Sequence, residues 1–160
     1  WKLSAKTEEM MVREQSMPLG CPVDFYLDLY QPAAVHRRKD ETQRDSYLQI
    51  LASVSHSMSV EGCRHHVIWF DSRTGDVCRY RIENEENIFE MLFQLGQLSV
   101  YHDKKDLQEL YRQKYHETPG VTCLELTTEL TLKKNGEVEA RYSGDVSDIE
   151  RQLGAKELVV

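Results

Sequence analysis

The chain contains one dense apolar run near its beginning, Val23-Asp24-Phe25-Tyr26-Leu27-Asp28-Leu29-Tyr30, which stops at Gln31-Pro32. A strand that is covered on both faces of a parallel sheet is nearly continuously apolar, and this run has that character. Asp28, near the C-terminal end of the run, is then expected where the sheet meets its loops. Open α/β sheets bind ligands at that edge. The run therefore predicts a central strand with Asp28 as a candidate site residue.

Helices and strands are predicted around this strand from apolar periodicity and from turn residues. The predicted helices cover 40–62, 84–96 and 103–115, with a short amphipathic turn around Ile149 and Leu153. The predicted strands cover 65–70, 76–82, 122–132, the arm that follows the Asn135-Gly136 turn, and 158–160. Between positions 76 and 82, Arg79 and Arg81 alternate with apolar residues, which predicts an antiparallel edge strand with one face in water.

Length, composition and charge set limits on function. The chain has 160 residues, a size typical of one domain, and it is 40% hydrophobic and 29% charged, which predicts a soluble globular protein. No apolar run approaches the roughly 18 residues of a membrane span, so no membrane insertion is expected. A net charge of −7 argues against nucleic acid as a partner.

The residue types that carry common chemistries are present, but their spacing is unsuitable. Four cysteines are scattered without a C-x-x-C pair, which predicts reduced, buried thiols. Cys63, His65 and His66 do not form a predicted zinc site, because successive residues of a strand point to opposite faces. The sequence has neither a G-x-S-x-G nucleophile motif nor a glycine-rich phosphate loop. It therefore predicts a protein that is not an enzyme and has no cofactor.

The first residues carry a resemblance to a known family. Trp1-Lys2-Leu3-Ser4-Ala5-Lys6-Thr7, followed by Met11-Val12-Arg13-Glu14, resembles the second half of the signature of the DUF fifty-eight family. The resemblance implies that residues 1–22 are the tail of that signature and that residues 23–160 form a von Willebrand factor type A-like domain. Such a domain is an α/β, Rossmann-like fold. Its sheet is mixed but mainly parallel and flanked by helices, with antiparallel edge strands and, here, a C-terminal hairpin.

The same resemblance implies a cellular setting. Members of the family are typically bacterial and are anchored by helices upstream of the signature, which would place this domain on the cytoplasmic side of the membrane. They often accompany MoxR-type AAA ATPases, so an ATPase of that type is the implied partner. The chain begins with Trp1 rather than Met, which fits the expectation of a longer protein.

Type A domains that bind metal end their first strand in D-x-S-x-S, because one carboxylate and two hydroxyls can share the shell of Mg²⁺ with water. This chain has Asp28-Leu29-Tyr30-Gln31-Pro32, so Tyr30 and Pro32 stand at the hydroxyl positions. Thr128 and Glu129 are the weak candidates for completing such a site. No functional metal site is predicted.

Two functional hypotheses follow. The first is a non-catalytic interaction module that docks on a protein partner; its candidate contact residues are Asp28, Tyr30, Gln31, Arg37 and Arg38. Tyrosine and arginine are frequent anchors of protein interfaces. The alternative is a ligand-binding type A domain, dependent on Mg²⁺ or Mn²⁺, whose degenerate ion site uses water in place of the lost hydroxyls.

Overall fold

A computed structural model of the chain describes residues 23–33, 40–97, 99–144 and 146–155. The predicted signature tail 1–22, the candidate residues Arg37 and Arg38, and the predicted last strand 158–160 lie outside these ranges.

The described residues form six strands and four helices. In chain order the elements are β1 (Val23–Asp28), α1 (Asp40–Val60), β2 (His65–Asp71), β3 (Asp76–Ile82), α2 (Glu85–Leu95), α3 (Leu107–Tyr115), β4 (Thr122–Thr127), β5 (Thr131–Lys134), β6 (Glu137–Arg141) and α4 (Val146–Ala155). The strands make one sheet in the order β3-β2-β1-β4-β5-β6. Within these residues no helix combines the length and the apolarity that crossing a bilayer requires.

The sheet is mixed, and β1 lies at its centre. β1 pairs in parallel with β2 on one side and with β4 on the other, which confirms the predicted central strand. The pairings β2–β3, β4–β5 and β5–β6 are antiparallel. The predicted α/β class, antiparallel edge strands and C-terminal hairpin are confirmed. The expectation of a mainly parallel sheet was wrong, because three of the five pairings between described strands are antiparallel hairpins.

Helices cover both faces of the sheet. α1 packs between α2 and α4 on one face, whereas α3 packs on the other face against β1, β2 and β3. Tyr26 of β1 points towards α3 and meets the ring of Tyr111 edge-on at 6.1 Å between centroids. Leu27 points the opposite way and shares a cavity with Tyr47 of α1. The nearly continuous apolar character of β1 is thus explained by burial on both sides.

The apolar stripe predicted for the first helix is confirmed in α1. Its members are all buried: Tyr47, Ile50, Leu51, Val54 and Met58. The helix ends before Gly62, whose φ of +73° lies in the left-handed region that glycine adopts without strain.

The predicted strand 122–132 is in fact two strands, β4 and β5. The chain reverses in a tight turn in which the amide of Leu130 donates to the carbonyl of Thr127 at 3.0 Å. Leu126 then pairs with Leu132 across the hairpin, so both residues face the core. Leucines at alternate positions are therefore compatible with a chain reversal between two strands as well as with one long strand.

β3 is an edge strand of the described sheet, as predicted, but its two arginines do not share a wet face. Arg79 lies beneath α3, with its guanidinium carbon 4.3 Å from the ring centroid of Tyr115. It donates to the hydroxyl of Tyr111 at 2.9 Å and to Glu117 at 2.8 Å. Its long apolar stem packs under the helix while its charge is matched by aromatic faces and a carboxylate.

Candidate functional site

A crevice opens at the carboxyl ends of β1 and β4, and we call it the carboxyl-edge crevice. β2 follows β1 in the chain and pairs on one side of it, while β4 pairs on the other, so the strand order reverses at β1. Ligands of open α/β sheets bind at such a reversal point. The crevice has a volume of about 540 Å³. Its apolar walls are Leu27, Leu29, Leu48, Leu95 and Val100.

The polar side chains of the crevice donate to backbone carbonyls of its own walls. Gln43 Nε2 donates to the carbonyl of Thr128 at 2.5 Å, and Thr128 Oγ1 donates to that of Tyr30 at 2.7 Å. Arg44 donates to the carbonyl of Gly96. These bonds tie the start of α1 to the ends of β1, β4 and α2, so they fix the shape of the crevice.

Tyr47 contributes a further bond of the same kind. Its hydroxyl donates to the carbonyl of Leu126 at 2.9 Å. Burial, followed by the nearby charge of Asp28, raises the pKa of Tyr47 well above its ordinary value. The phenol therefore stays neutral and acts as a permanent donor rather than as an acid or a base.

Asp28 organises the loop that leaves β1, residues 29–33, which we call the exit loop. Its Oδ1 accepts from the amide of Tyr30 at 3.0 Å and from the hydroxyl of Tyr101 at 3.1 Å. The backbone of Tyr101 completes a short parallel bridge: its amide donates to Leu29 at 3.1 Å, and its carbonyl accepts from Gln31 at 2.9 Å. Burial and the charge of Asp28 raise the pKa of Tyr101, so the hydroxyl remains protonated and keeps donating.

The residues at this edge do not fit the metal that the type A resemblance implies. The carboxylate of Asp28 already accepts two hydrogen bonds on Oδ1, and the Thr128 hydroxyl points to a carbonyl. Glu129 is exposed in the turn after β4. In the part of the chain that the structure describes, no group of three or more His, Cys, Asp or Glu could hold a metal ion.

The chain matches no known family model, no curated protein and no solved structure. Its six-stranded mixed sheet with flanking helices is compatible with a Rossmann-like arrangement. The role of the carboxyl-edge crevice is therefore inferred from its own residues.

The candidate contact residues divide into two groups. Gln31 lines the crevice, and its carbonyl contacts His102 Nδ1 at 2.7 Å. Asp28 and Tyr30 are half-buried and hold the exit loop by the bonds given above. Arg37 and Arg38 lie outside the described residues. The predicted edge location of Asp28 is correct, whereas the partner Tyr101, distant in sequence, was not predicted.

Asp24 is a buried acid that was not predicted as a site residue. It is 2% exposed at the amino end of β1, and its Oδ2 accepts from the amide of Gly120 at 2.6 Å. Its Oδ1 lies 3.4 Å from His66 Nδ1. The available signal was a carboxylate inside an apolar strand, since buried acids are almost always paired.

The strands flanking Asp24 place His66 on one side of it and Cys123 on the other. The thiol and the imidazole are therefore two strand spacings apart, about 10 Å, which is too far for a nucleophile–base pair. Burial, followed by the charge of Asp24, raises the pKa of the Cys123 thiol. Asp24 consequently anchors the loop at Gly120, and the row of three residues does not form an activated thiol.

The two neighbouring histidines face opposite sides of β2, as predicted. His66 faces Asp24, whereas His65 is 1% exposed and its Nδ1 contacts the carbonyl of Cys63 at 3.2 Å. Among the described residues, Cys63, Cys78 and Cys123 form no disulfide bond. Each is half-buried rather than fully buried as expected.

Proposed function

We propose that the chain is a non-catalytic protein-interaction module, a von Willebrand type A-like domain that binds a protein partner at the carboxyl-edge crevice. The observation that carries the proposal is the arrangement of apolar and polar side chains in the crevice. Its walls are largely apolar, and Gln43, Tyr47 and Thr128 each donate to a backbone carbonyl. Such a crevice supplies shape and an apolar surface for an anchor side chain.

The dimensions of the crevice support this function. Its volume of about 540 Å³ falls within the range of ligand-binding pockets. Interfaces are dominated by a few anchor residues that fill pockets on the partner. Gln31, on the crevice wall, precedes the sequence-predicted contacts Arg37 and Arg38 by six and seven positions in the chain. We propose that the anchor enters the crevice and that Arg37 and Arg38 contribute further contacts to the partner.

The partner that the family resemblance suggests is a MoxR-type AAA ATPase on the cytoplasmic side of a bacterial membrane. This part of the proposal rests on Trp1-Lys2-Leu3-Ser4-Ala5-Lys6-Thr7 and on the run that follows it. The apolar walls of the crevice support an apolar side chain as the anchor of this partner.

The proposal is tested with a charge placed in the crevice. Val100 lines it and is 41% exposed, so Val100→Asp introduces a carboxylate with little disturbance of the core. Val121 is 78% exposed before β4, at the opposite edge of the sheet, which makes Val121→Asp the matched control. Burying an unpaired carboxylate on binding is costly, so Val100→Asp is expected to weaken binding to the purified ATPase by at least about tenfold.

Isothermal calorimetry on both variants and the unchanged chain provides the measurement. Binding that is lost in Val100→Asp and kept in Val121→Asp supports the crevice as the interface. If both variants bind the ATPase equally well, the crevice is not the interface. If the unchanged chain does not bind the ATPase, the proposed partner is wrong.

A further inference from the structure

α2 carries two phenylalanines in water. Phe89 is 65% exposed and Phe93 is 85% exposed, whereas Phe25 and Phe70 are buried. The residues that α2 turns towards the core are Ile88, Met91 and Leu95. Burying a phenylalanine side chain is favourable, so a helix that leaves two of them exposed forgoes a stabilisation that a binding partner can recover. Two exposed rings on one helix therefore form a candidate contact surface.

Two glutamates share this face of α2. At 3.6 residues per turn, Glu86, Phe89, Glu90 and Phe93 fall within an arc of about 100°. We call these four residues the acidic–aromatic surface. Glu90 is fixed at its border, because its Oε2 accepts from the hydroxyl of Tyr80 at 2.5 Å. The rings are therefore bordered by carboxylates, one of which is held in place.

The negative charge of α2 indicates which kind of molecule can bind the acidic–aromatic surface. The helix contains Glu85, Glu86 and Glu90 and no Lys, Arg or His. The whole chain has a net charge of −7, so an anionic membrane surface is repelled. A second copy related by a two-fold axis would meet the same surface and bring like carboxylates together. The complementary occupant is cationic and partly apolar.

We propose that the acidic–aromatic surface binds a lysine- or arginine-bearing amphipathic helix of a partner protein. Aliphatic side chains of that helix cover Phe89 and Phe93, which stand one turn apart as a ridge that fits between the rows of a facing helix. Its cations pair with Glu86 and Glu90 and lie over the aromatic faces. The surface is separate from the carboxyl-edge crevice, so this proposal does not depend on the function proposed above.

The test uses the full chain and a defined probe. A fluorescently labelled amphipathic peptide of leucine and lysine is titrated with the protein, and its anisotropy is followed. A peptide of leucine and glutamate with the same pattern is the charge control. Binding of the basic peptide alone, weakening as salt is added, is expected.

The decisive variants change the rings. The double variant Phe89→Ser with Phe93→Ser is expected to weaken binding of the basic peptide at least about tenfold, because two anchor contacts are lost. Val60→Ser with Val121→Ser is the matched control, since both valines are more than 70% exposed and lie away from α2, in α1 and before β4.

The proposal is overturned if the acidic peptide binds as tightly as the basic one, or if the variant with Phe89→Ser and Phe93→Ser binds the basic peptide as tightly as the unchanged chain does. It is also overturned if the unchanged chain forms a dimer that Phe93→Ser dissociates. Binding of the unchanged chain to phosphatidylserine vesicles that Phe93→Ser abolishes would overturn it as well. Thermal unfolding by circular dichroism checks each variant. If the double variant unfolds, Phe93→Ser alone carries the test, because Phe93 is the more exposed ring.

Discussion

His65 is a titratable group held away from water at the start of β2. Its Nδ1 contacts the carbonyl of Cys63, and its Nε2 has no hydrogen-bond partner among the described residues. Burial lowers the pKa of His65 from 6.5 to about 4, because the imidazolium form would lose its hydration. The folded protein therefore keeps this side chain neutral at pH values where the unfolded chain protonates it.

This difference predicts a loss of stability in mild acid. Between pH 6.5 and about 4 the unfolded state binds a proton at His65 that the folded state does not bind. As far as His65 is concerned, the free energy of unfolding is highest above pH 6.5. It falls by on the order of 3 kcal/mol as the pH decreases through that window. Denaturant unfolding at pH 7 and pH 4.5 measures the fall.

The contribution of His65 is isolated with two variants. His65→Gln is expected to reduce the difference in unfolding free energy between the two pH values, even if its absolute stability is lower. His56→Gln, at an exposed position of α1, is the control and is expected to keep the full difference. The same pH dependence in both variants would assign the acid sensitivity to other groups.

Asp28 and Tyr101 show what single residues of the sequence can and cannot reveal about the site. The position of Asp28 at the end of an apolar run was enough to place it at the carboxyl edge. Its partner Tyr101 is 73 residues away in the chain. No local period encodes that contact, because the packing of the sheet and its loops creates it. The sequence therefore predicted Asp28 as a contact residue without its bonds, and in the structure its carboxylate accepts from Tyr30 and Tyr101 and holds the exit loop.

The turns between elements were predictable where glycine or asparagine is required and not elsewhere. Asn135 and Gly136 have φ values of +50° and +86°, as expected for a hairpin turn that needs two left-handed residues. Leu130 has a φ of +58° in the preceding turn. Nothing in Thr128-Glu129-Leu130 signals that reversal, since leucine seldom adopts this conformation. Burial of the Leu130 side chain, which is 3% exposed, accounts for its position.

The β5–β6 hairpin offers a test of this backbone argument. Gly136→Ala is expected to destabilise the fold by about 1–2 kcal/mol, the cost of placing a side chain in the left-handed region. A Cβ at Gly136 meets no atom within 4 Å, so sterics outside the turn do not contribute. Chemical denaturation with an unchanged slope gives the free-energy difference.

Gly154 in α4 supplies the matched control. A Cβ there also meets nothing within 4 Å, and its φ is not in the left-handed region. Gly154→Ala is expected to be neutral or to stabilise by up to about 1 kcal/mol, because alanine favours the helix. A loss of stability in Gly154→Ala equal to that in Gly136→Ala would contradict the assignment of the cost to φ.

Across the molecule, the periodicity of the apolar residues predicted which side chains are buried more reliably than it predicted which residues they contact. The apolar stripes of α1 and α2 and the continuous run of β1 all reach the core. The cover that α3 gives to Arg79 was missed, because an arginine between apolar residues has the pattern of a wet face. Cation–π contacts with Tyr111 and Tyr115 make that position half-buried without making it apolar.

The arrangement of the carboxyl edge also predicts how the whole molecule responds to divalent cations. A ligand that binds only the folded state stabilises it by RT ln(1 + [L]/Kd), about 2.7 kcal/mol at a concentration of 100 Kd. For a domain of this size each kcal/mol raises the melting temperature by about 2–4 °C. Because Asp28 already holds the exit loop, millimolar Mg²⁺ or Mn²⁺ is expected to leave the melting temperature unchanged within about 1 °C.

A gain-of-function variant makes this expectation informative. Tyr30→Ser with Pro32→Ser restores D-x-S-x-S after β1, with Thr128 at the same edge of the sheet. If the edge has the type A geometry that the resemblance implies, the double variant acquires a melting temperature that rises with Mg²⁺ while the unchanged chain does not. A rise in the unchanged chain would instead favour the ligand-binding type A domain with a degenerate ion site. No rise in either protein would mean that the missing hydroxyls are not what prevents the ion from binding, and would leave the bonds of Asp28 to the amide of residue 30 and to Tyr101 as the cause.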